Sequence, residues 1–202
     1  MYQGLTSAKN PRVLAAKALQ SKGEREARGL FLAEGEHMVG ESLRFGAVDE
    51  VFVDADRADE YAALLANVPS EKIFAVPAHV LQAMSSVKTP QGVAATTALP
   101  RLHSLDELGK RVVLLENVQD PGNVGTILRT LDAAGFDGCI LTTGCADPFS
   151  PKVLRATMGS VFRVPMAFVA DAPSAARALA ESGSAVLATV LDGSDFYARE
   201  PL

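Results

Sequence analysis

The chain has 202 residues, 48% of them hydrophobic and 21% charged, the balance of a folded globular protein with room for two small cores. The net charge is −5, not that of an obvious nucleic-acid binder, and no apolar run approaches the roughly 20 residues that a membrane span requires. The N-terminus lacks the apolar segment and small-residue cleavage site of a secretory signal, and its Glu24 and Glu26 argue against a transit peptide, so a cytoplasmic location is expected.

The charge is unevenly spread. Residues 1–30 hold six Lys or Arg against two Glu, whereas the remainder carries 13 basic and 22 acidic residues. A basic arm on an acidic body suits phosphate contacts; it equally suits a solvated helix face. The cysteines, Cys139 and Cys145, and the histidines, His37, His79 and His103, show no metal-ligand spacing, so no metal is expected.

In chain order, Asn10-Pro11 reads as an N-cap with Pro at the first helical position, and Val13 to Leu19 continue that helix. LFLAEG is a strand ending in a turn. EHMVGESLRFG is a helix closed by Gly46, and VDEVFVD alternates as a strand. ADEYAALLANV reads as a helix, EKIFAV as a strand, and a short helix runs from Pro77 to Met84. SVKTPQGVAATTAL is a polar loop feeding another strand. Residues 100–110 are polar and aperiodic, which marks a linker between a first domain, 1–99, and a second, 111–202. The second alternation takes RVVLLE, DGCILTT, VFRVPMAFV and SAVLATVLD as strands, with helices at 123–134, PKVLRATMG and PSAARALAES. Alternating strands and helices predict an α/β fold. No covering helix follows Leu191, so the second domain reads as truncated at its C-terminal end.

The most informative stretch is ENVQDPGNVGTILRT, residues 116–130. Val124, Ile127, Leu128 and Leu131 fall on one helical face, whereas Asn123, Thr126 and Thr130 form a polar stripe with Arg129 beside it. A helix opening after a buried strand is where α/β proteins bind ligands, and Gly125 leaves its first turn open to close approach. Asn123 is either a helix cap or a chemical group, and Arg129 is either a reacting-site cation or the partner of Asp132. The spacing is neither a dinucleotide fingerprint nor a P-loop.

DPGNVGTILRTLDAAGF resembles the first motif of the SpoU (TrmH) family of RNA 2′-O-methyltransferases, of the SPOUT class. Residues 31–43 and 87–95 resemble that family's N-terminal RNA-binding domain, 147–166 its middle catalytic segment, and 187–197 the segment leading to its cofactor pocket. The resemblance implies a parallel-sheet domain with a C-terminal trefoil knot, an exception to the rule against knots. It implies a homodimer, S-adenosylmethionine as cofactor, and methyl transfer to a ribose 2′-hydroxyl of rRNA or tRNA. It assigns catalysis to Asn123 and Arg129, and the first cofactor loop to Thr189, Leu191 and Gly193. Ser150, Lys152 and Arg155 form a candidate phosphate clamp, with Lys9, Arg12 and Lys88 as further RNA contacts. The family's Asn-Glu-Gly motif and its final Ser and Asn motif do not occur before Leu202, so this chain is expected to be inactive alone. Two alternatives remain. One is an RNA-binding module without catalysis; the other is an unrelated enzyme holding a phosphorylated small molecule at Gly122–Gly125.

Overall fold

The computed structural model describes residues 2–193. Strands β1 (Gln3–Gly4), β2 (Leu30–Glu34), β3 (Val48–Asp54), β4 (Ile73–Val76) and β5 (Val93–Ala98) form one mixed sheet in the order β1-β4-β3-β5-β2. Strands β1, β4 and β3 run parallel, whereas β5 lies antiparallel between β3 and β2. Its helices are α1 (Pro11–Ala18), α2 (Lys22–Arg28), α3 (Glu36–Phe45) and α4 (Ala78–Met84). The second sheet, β6 (Val112–Leu115), β7 (Gly138–Thr142) and β8 (Met166–Val169), is wholly parallel. Helices α5 (Pro121–Ala133), α6 (Pro151–Thr157) and α7 (Ala172–Glu181) belong to this half.

Side-chain alternation explains how the layers stack. In β3, Phe52 joins a core with Val13, Leu19 and Val80 from α1, its C-terminal flank and α4. Its neighbours Val51 and Val53 join the opposite core with Val39, Tyr61 and Leu65. In β2, Leu32 belongs to the first of these cores. Phe31 and Ala33 instead pack with Leu115, Val124, Leu128, Cys139 and Val153 of the second half. The two sheets are therefore joined by a continuous apolar seam. The ring of Phe31 lies 5.7 Å from Phe162 and 6.5 Å from Phe149, so one N-terminal aromatic is enclosed by two C-terminal ones.

Charged contacts reinforce the seam. Arg25 of α2 is almost fully buried; it donates to the carbonyls of Leu19 and Gln20 and, at 2.5 Å, to Asp147. Arg163 bridges Glu41 of α3 and Asp132 of α5. The expected linker is also tied down: His103 N donates to Met166 O at 2.8 Å, and Leu102 bridges to the same residue.

Four expectations need correction. ADEYAALLANV is not an α-helix: a 3-10 helix over Ala55–Tyr61 runs into turns, with Tyr61 and Leu65 buried and the Tyr61 hydroxyl donating to Gln91 O. Helix α2 was not foreseen, since its buried residue is an Arg and no apolar period announces it. Short β1 was also missed; its two exposed residues carry no alternation. SAVLATVLD forms no strand: residues 184–193 are exposed, and among the described residues no strand pairs with them, without which apolar character alone makes no strand. The trefoil knot and the cofactor segment past Gly193 lie outside the described residues.

Candidate active site

Strand β6 ends at Leu115, and five residues lead into α5 at Pro121. That turn is locked to the end of β7. Asn117 adopts a left-handed backbone, with φ of 50°, and donates its N–H to Thr142 Oγ1 at 3.1 Å. Gly144 makes room for the Asn117 side chain, which would collide with any Cβ there. Val118 O accepts from Ala146 N at 2.9 Å, and Leu115 O from the Cys145 thiol at 3.2 Å. Helix α5 therefore starts from a braced platform at the carboxyl edge of the parallel sheet.

Its cap is Asp120, not Asn123. The Asp120 carboxylate accepts the N–H of Asn123 at 2.9 Å, and Pro121 takes the first helical position. The helix thus begins two residues before the expected start, and Asn123 sits within its first turn with an exposed side chain. The Asp-Pro pair was visible in the sequence, and the reasoning that fixed Asn10-Pro11 applies to it unchanged.

Arg129 is exposed on the same helix, about 9 Å farther along the axis at 1.5 Å per residue. The expected partner, Asp132, is already held: Arg163 donates to it at 2.7 and 2.9 Å, and Ser160 Oγ at 2.7 Å. Burial opposes the Asp132 charge, but the hydrogen bonds from Arg163 and Ser160 outweigh it and hold the carboxyl below its ordinary range. Arg129 forms no ion pair among the described residues.

Gly125 serves packing. A side chain there would strike Ala156 of α6 and come within 3.0 Å of Val153 O, so the close approach foreseen at this glycine is made by a neighbouring helix. The apolar face behaves as expected, with Val124, Leu128 and Leu131 buried and Ile127 partly so. Cys139 is buried beneath it, and burial pushes its thiol up to about 12, which removes it as a nucleophile.

The phosphate candidates separate. Ser150 caps α6 through Val153 N at 3.5 Å, Lys152 is exposed, and Arg155 reaches back to Ser86 Oγ at 2.7 Å. Ser86 in turn donates to Glu34 at 2.5 Å. Arg12 is bonded to Glu50 and lies 4.8 Å over the Phe74 ring, so its charge is engaged within the fold. Lys9, before α1, and Lys88, after α4, are exposed. Thr189, Leu191 and Gly193 lie on the exposed 184–193 segment, away from any strand end. Among the described residues, neither the cleft between Phe45 and Phe162 nor the one between Met84 and Arg155 is lined by Asn123, Arg129 or these three, and no three His, Cys, Asp or Glu converge as metal ligands.

A mixed-sheet module joined to a parallel sheet, with an Asn and an Arg on the helix leaving its first strand, defines an α/β protein of two joined sheets. Residues 110–201 match the SpoU rRNA Methylase family, and residues 10–95 match the MRM3-like substrate binding domain. The chain is 36% identical over 205 residues to the 23S rRNA (guanosine(2553)-2′-O)-methyltransferase RlmP of Bacillus subtilis, covering 98% of this chain and 77% of that protein. A TrmH-family RNA methyltransferase structure from Porphyromonas gingivalis superposes with a TM-score of 0.81 at 32% identity, over 96% of this chain and 75% of that one. The AdoMet-bound rRNA methyltransferase from Sinorhizobium meliloti gives 0.69 at 34% identity, over 83% of this chain and 64% of that one. This chain belongs to the SpoU rRNA methylase family. Nearly the whole chain aligns with the Bacillus protein, and it spans about three quarters of that protein's length.

Proposed function

We propose that this protein transfers a methyl group from S-adenosylmethionine to a ribose 2′-hydroxyl of ribosomal RNA, with Asn123 and Arg129 at the reacting site. One observation carries the reading: both side chains are released from structural duty. Asp120 caps the helix and Arg163 neutralises Asp132, so a carboxamide and a guanidinium stand exposed on one helix with no partner among the described residues.

Their chemistry suits the reaction. Bound S-adenosylmethionine supplies an electrophilic methyl on a sulfonium. The ribose oxygen must be aligned with it, and positioning contributes much of the rate in such displacements. Asn123 orients the ribose through its carboxamide. Arg129 supplies a guanidinium that stabilises the developing alkoxide or an adjacent phosphate by charge and hydrogen bonding. Thr189, Leu191 and Gly193 would contribute a hydroxyl, an apolar surface and a small residue to the cofactor, although the described residues alone form no closed pocket around them.

In this reading residues 1–99 hold the RNA, 100–110 connect, and 111–202 carry the chemistry, within a homodimer in the cytoplasm. Lys152 and Arg155, with Lys9 and Lys88, contact phosphates, whereas Ser150 only caps its helix and Arg12 contributes if RNA displaces Glu50. The open cofactor segment favours one competing reading, an RNA-binding module without catalysis. The test is transfer of radiolabelled methyl from S-adenosylmethionine to rRNA, followed by nucleoside analysis. A 2′-O-methylnucleoside that disappears with Arg129→Ala is expected. RNA binding without transfer, together with no heat on titrating S-adenosylmethionine, favours the competing reading.

A further inference from the structure

A second cleft, of about 200 Å³, lies where the mixed sheet meets α6. Its walls are apolar, with Leu81 and Met84 of α4 on one side and Pro90 of the following loop on another. Its polar side chains are Glu34 at the end of β2, Ser85, Thr89 and Gln91 in the segment between α4 and β5, and Arg155 of α6. The volume is below the roughly 300–1,000 Å³ of pockets for drug-sized ligands and suits one flat ring system.

The hydrogen bonds decide what the cleft offers. The Glu34 carboxylate is saturated by Ser85 Oγ and by the N–H and hydroxyl of Ser86, so it fixes the 85–86 turn and has little left for a ligand. Gln91 Oε1 accepts from Glu36 N at 3.2 Å, which turns the amide's donor end away from that bond. Arg155 uses one nitrogen on Ser86 and retains most of its five donors. The available polar groups are therefore the Gln91 amide donor, the Arg155 guanidinium and the Thr89 hydroxyl, which donates or accepts, beside an apolar slot, with exposed Lys88 in the same loop. Such a set selects a flat ligand rich in acceptors and carrying negative charge.

The cleft also borders the helix that packs on α5: Arg155 precedes Ala156, the residue against Gly125. Resting on the proposed RNA methyltransferase function, we infer that this cleft receives one unstacked nucleotide of the substrate RNA. The base lies between Leu81, Met84 and Pro90 and accepts from the Gln91 amide, and its phosphate sits on Arg155.

The test uses a short fluorescein-labelled single-stranded RNA of mixed sequence and the full chain. Gln91→Glu keeps the acceptor for Glu36 N while deleting the donor, and Arg155→Ala removes the cation from an exposed position. Each is expected to weaken binding about tenfold, the loss of one charge-assisted or buried hydrogen bond, with an unchanged melting temperature. Photocrosslinking of thiouridine-substituted RNA is expected on the peptide spanning 84–91. Wild-type binding that both variants retain within about twofold, or crosslinks confined to other peptides, overturns the cleft and leaves the proposed function standing. Displacement of the RNA by a free nucleoside monophosphate at the RNA's own concentration overturns RNA as the occupant. Failure of the wild-type chain to bind RNA removes the functional reading itself, and the cleft with it.

Discussion

Asp120 and Asn123 share the first turn of α5 but not its duties, and that division is measurable. Asp120→Ala removes the cap and is expected to cost about 1 kcal/mol in urea denaturation. Asn123→Ala removes an exposed carboxamide that caps nothing and is expected to change stability by less than about 0.5 kcal/mol, while methyl transfer falls by about a hundredfold or more. The reverse pattern, a large stability loss at Asn123, restores it as a structural residue. The sequence named Asn123 and Arg129 as residues of interest, but it could not assign their partners. Whether an Asp three residues on pairs with an Arg depends on what else reaches that Asp, and Arg163 arrives from 31 residues away.

Helices α5 and α6 meet where Gly125 faces Ala156 and Val153 O. Alanine at 125 gains up to about 1 kcal/mol of helix propensity but forces the two helices apart, at about 1–3 kcal/mol for overpacking. Gly125→Ala is therefore expected to lower the melting temperature, and a rise shows that the helices can separate freely. Most elements were legible at this scale because each has a local cause. Asn10-Pro11 starts α1, alternation builds β3, and the unbroken apolar run in β7 marks a strand buried on both faces. The failures have one cause in common. Helix α2 and the 3-10 segment meet distant neighbours, Asp147 and the Gln91 carbonyl, and residues 184–193 pair with no strand among the described residues; no window of adjacent residues contains this information.

Across the whole molecule, the apolar seam makes the two sheets one cooperative body, and two ion-pair sites pin it. Arg25→Ala strands Asp147 and frees the carbonyls of Leu19 and Gln20. Because Asp147 keeps some access to water, the expected cost is about 2–3 kcal/mol, below the 3–5 kcal/mol of a fully buried pair. Urea denaturation measures it, and a cost under about 0.5 kcal/mol shows that the pair does not hold the seam. The Asp132 site responds to pH. Its folded carboxyl ionises below the unfolded value of about 3.9, so the stabilisation is full above that value and is lost as pH falls through the folded one. The stability difference between wild type and Asp132→Asn is expected to be constant from neutrality down to about pH 4 and to shrink below it. A gap of equal size on both sides of that range shows that the carboxylate charge plays no part.

The sequence by itself determined the α/β class, most strands and helices, and the Asn and Arg of the candidate site, because periodicity, caps and short motifs are written in neighbouring residues. Only the tertiary structure decided that Asp120 frees Asn123, that Arg163 frees Arg129, that Arg25 of the basic arm is buried as a clasp, and that Glu34, Gln91 and Arg155 border one cleft. These are outcomes of competition between residues far apart in the chain. A side chain's partner is settled by which groups the packed core brings within hydrogen-bond reach, and that is a property of the assembled layers.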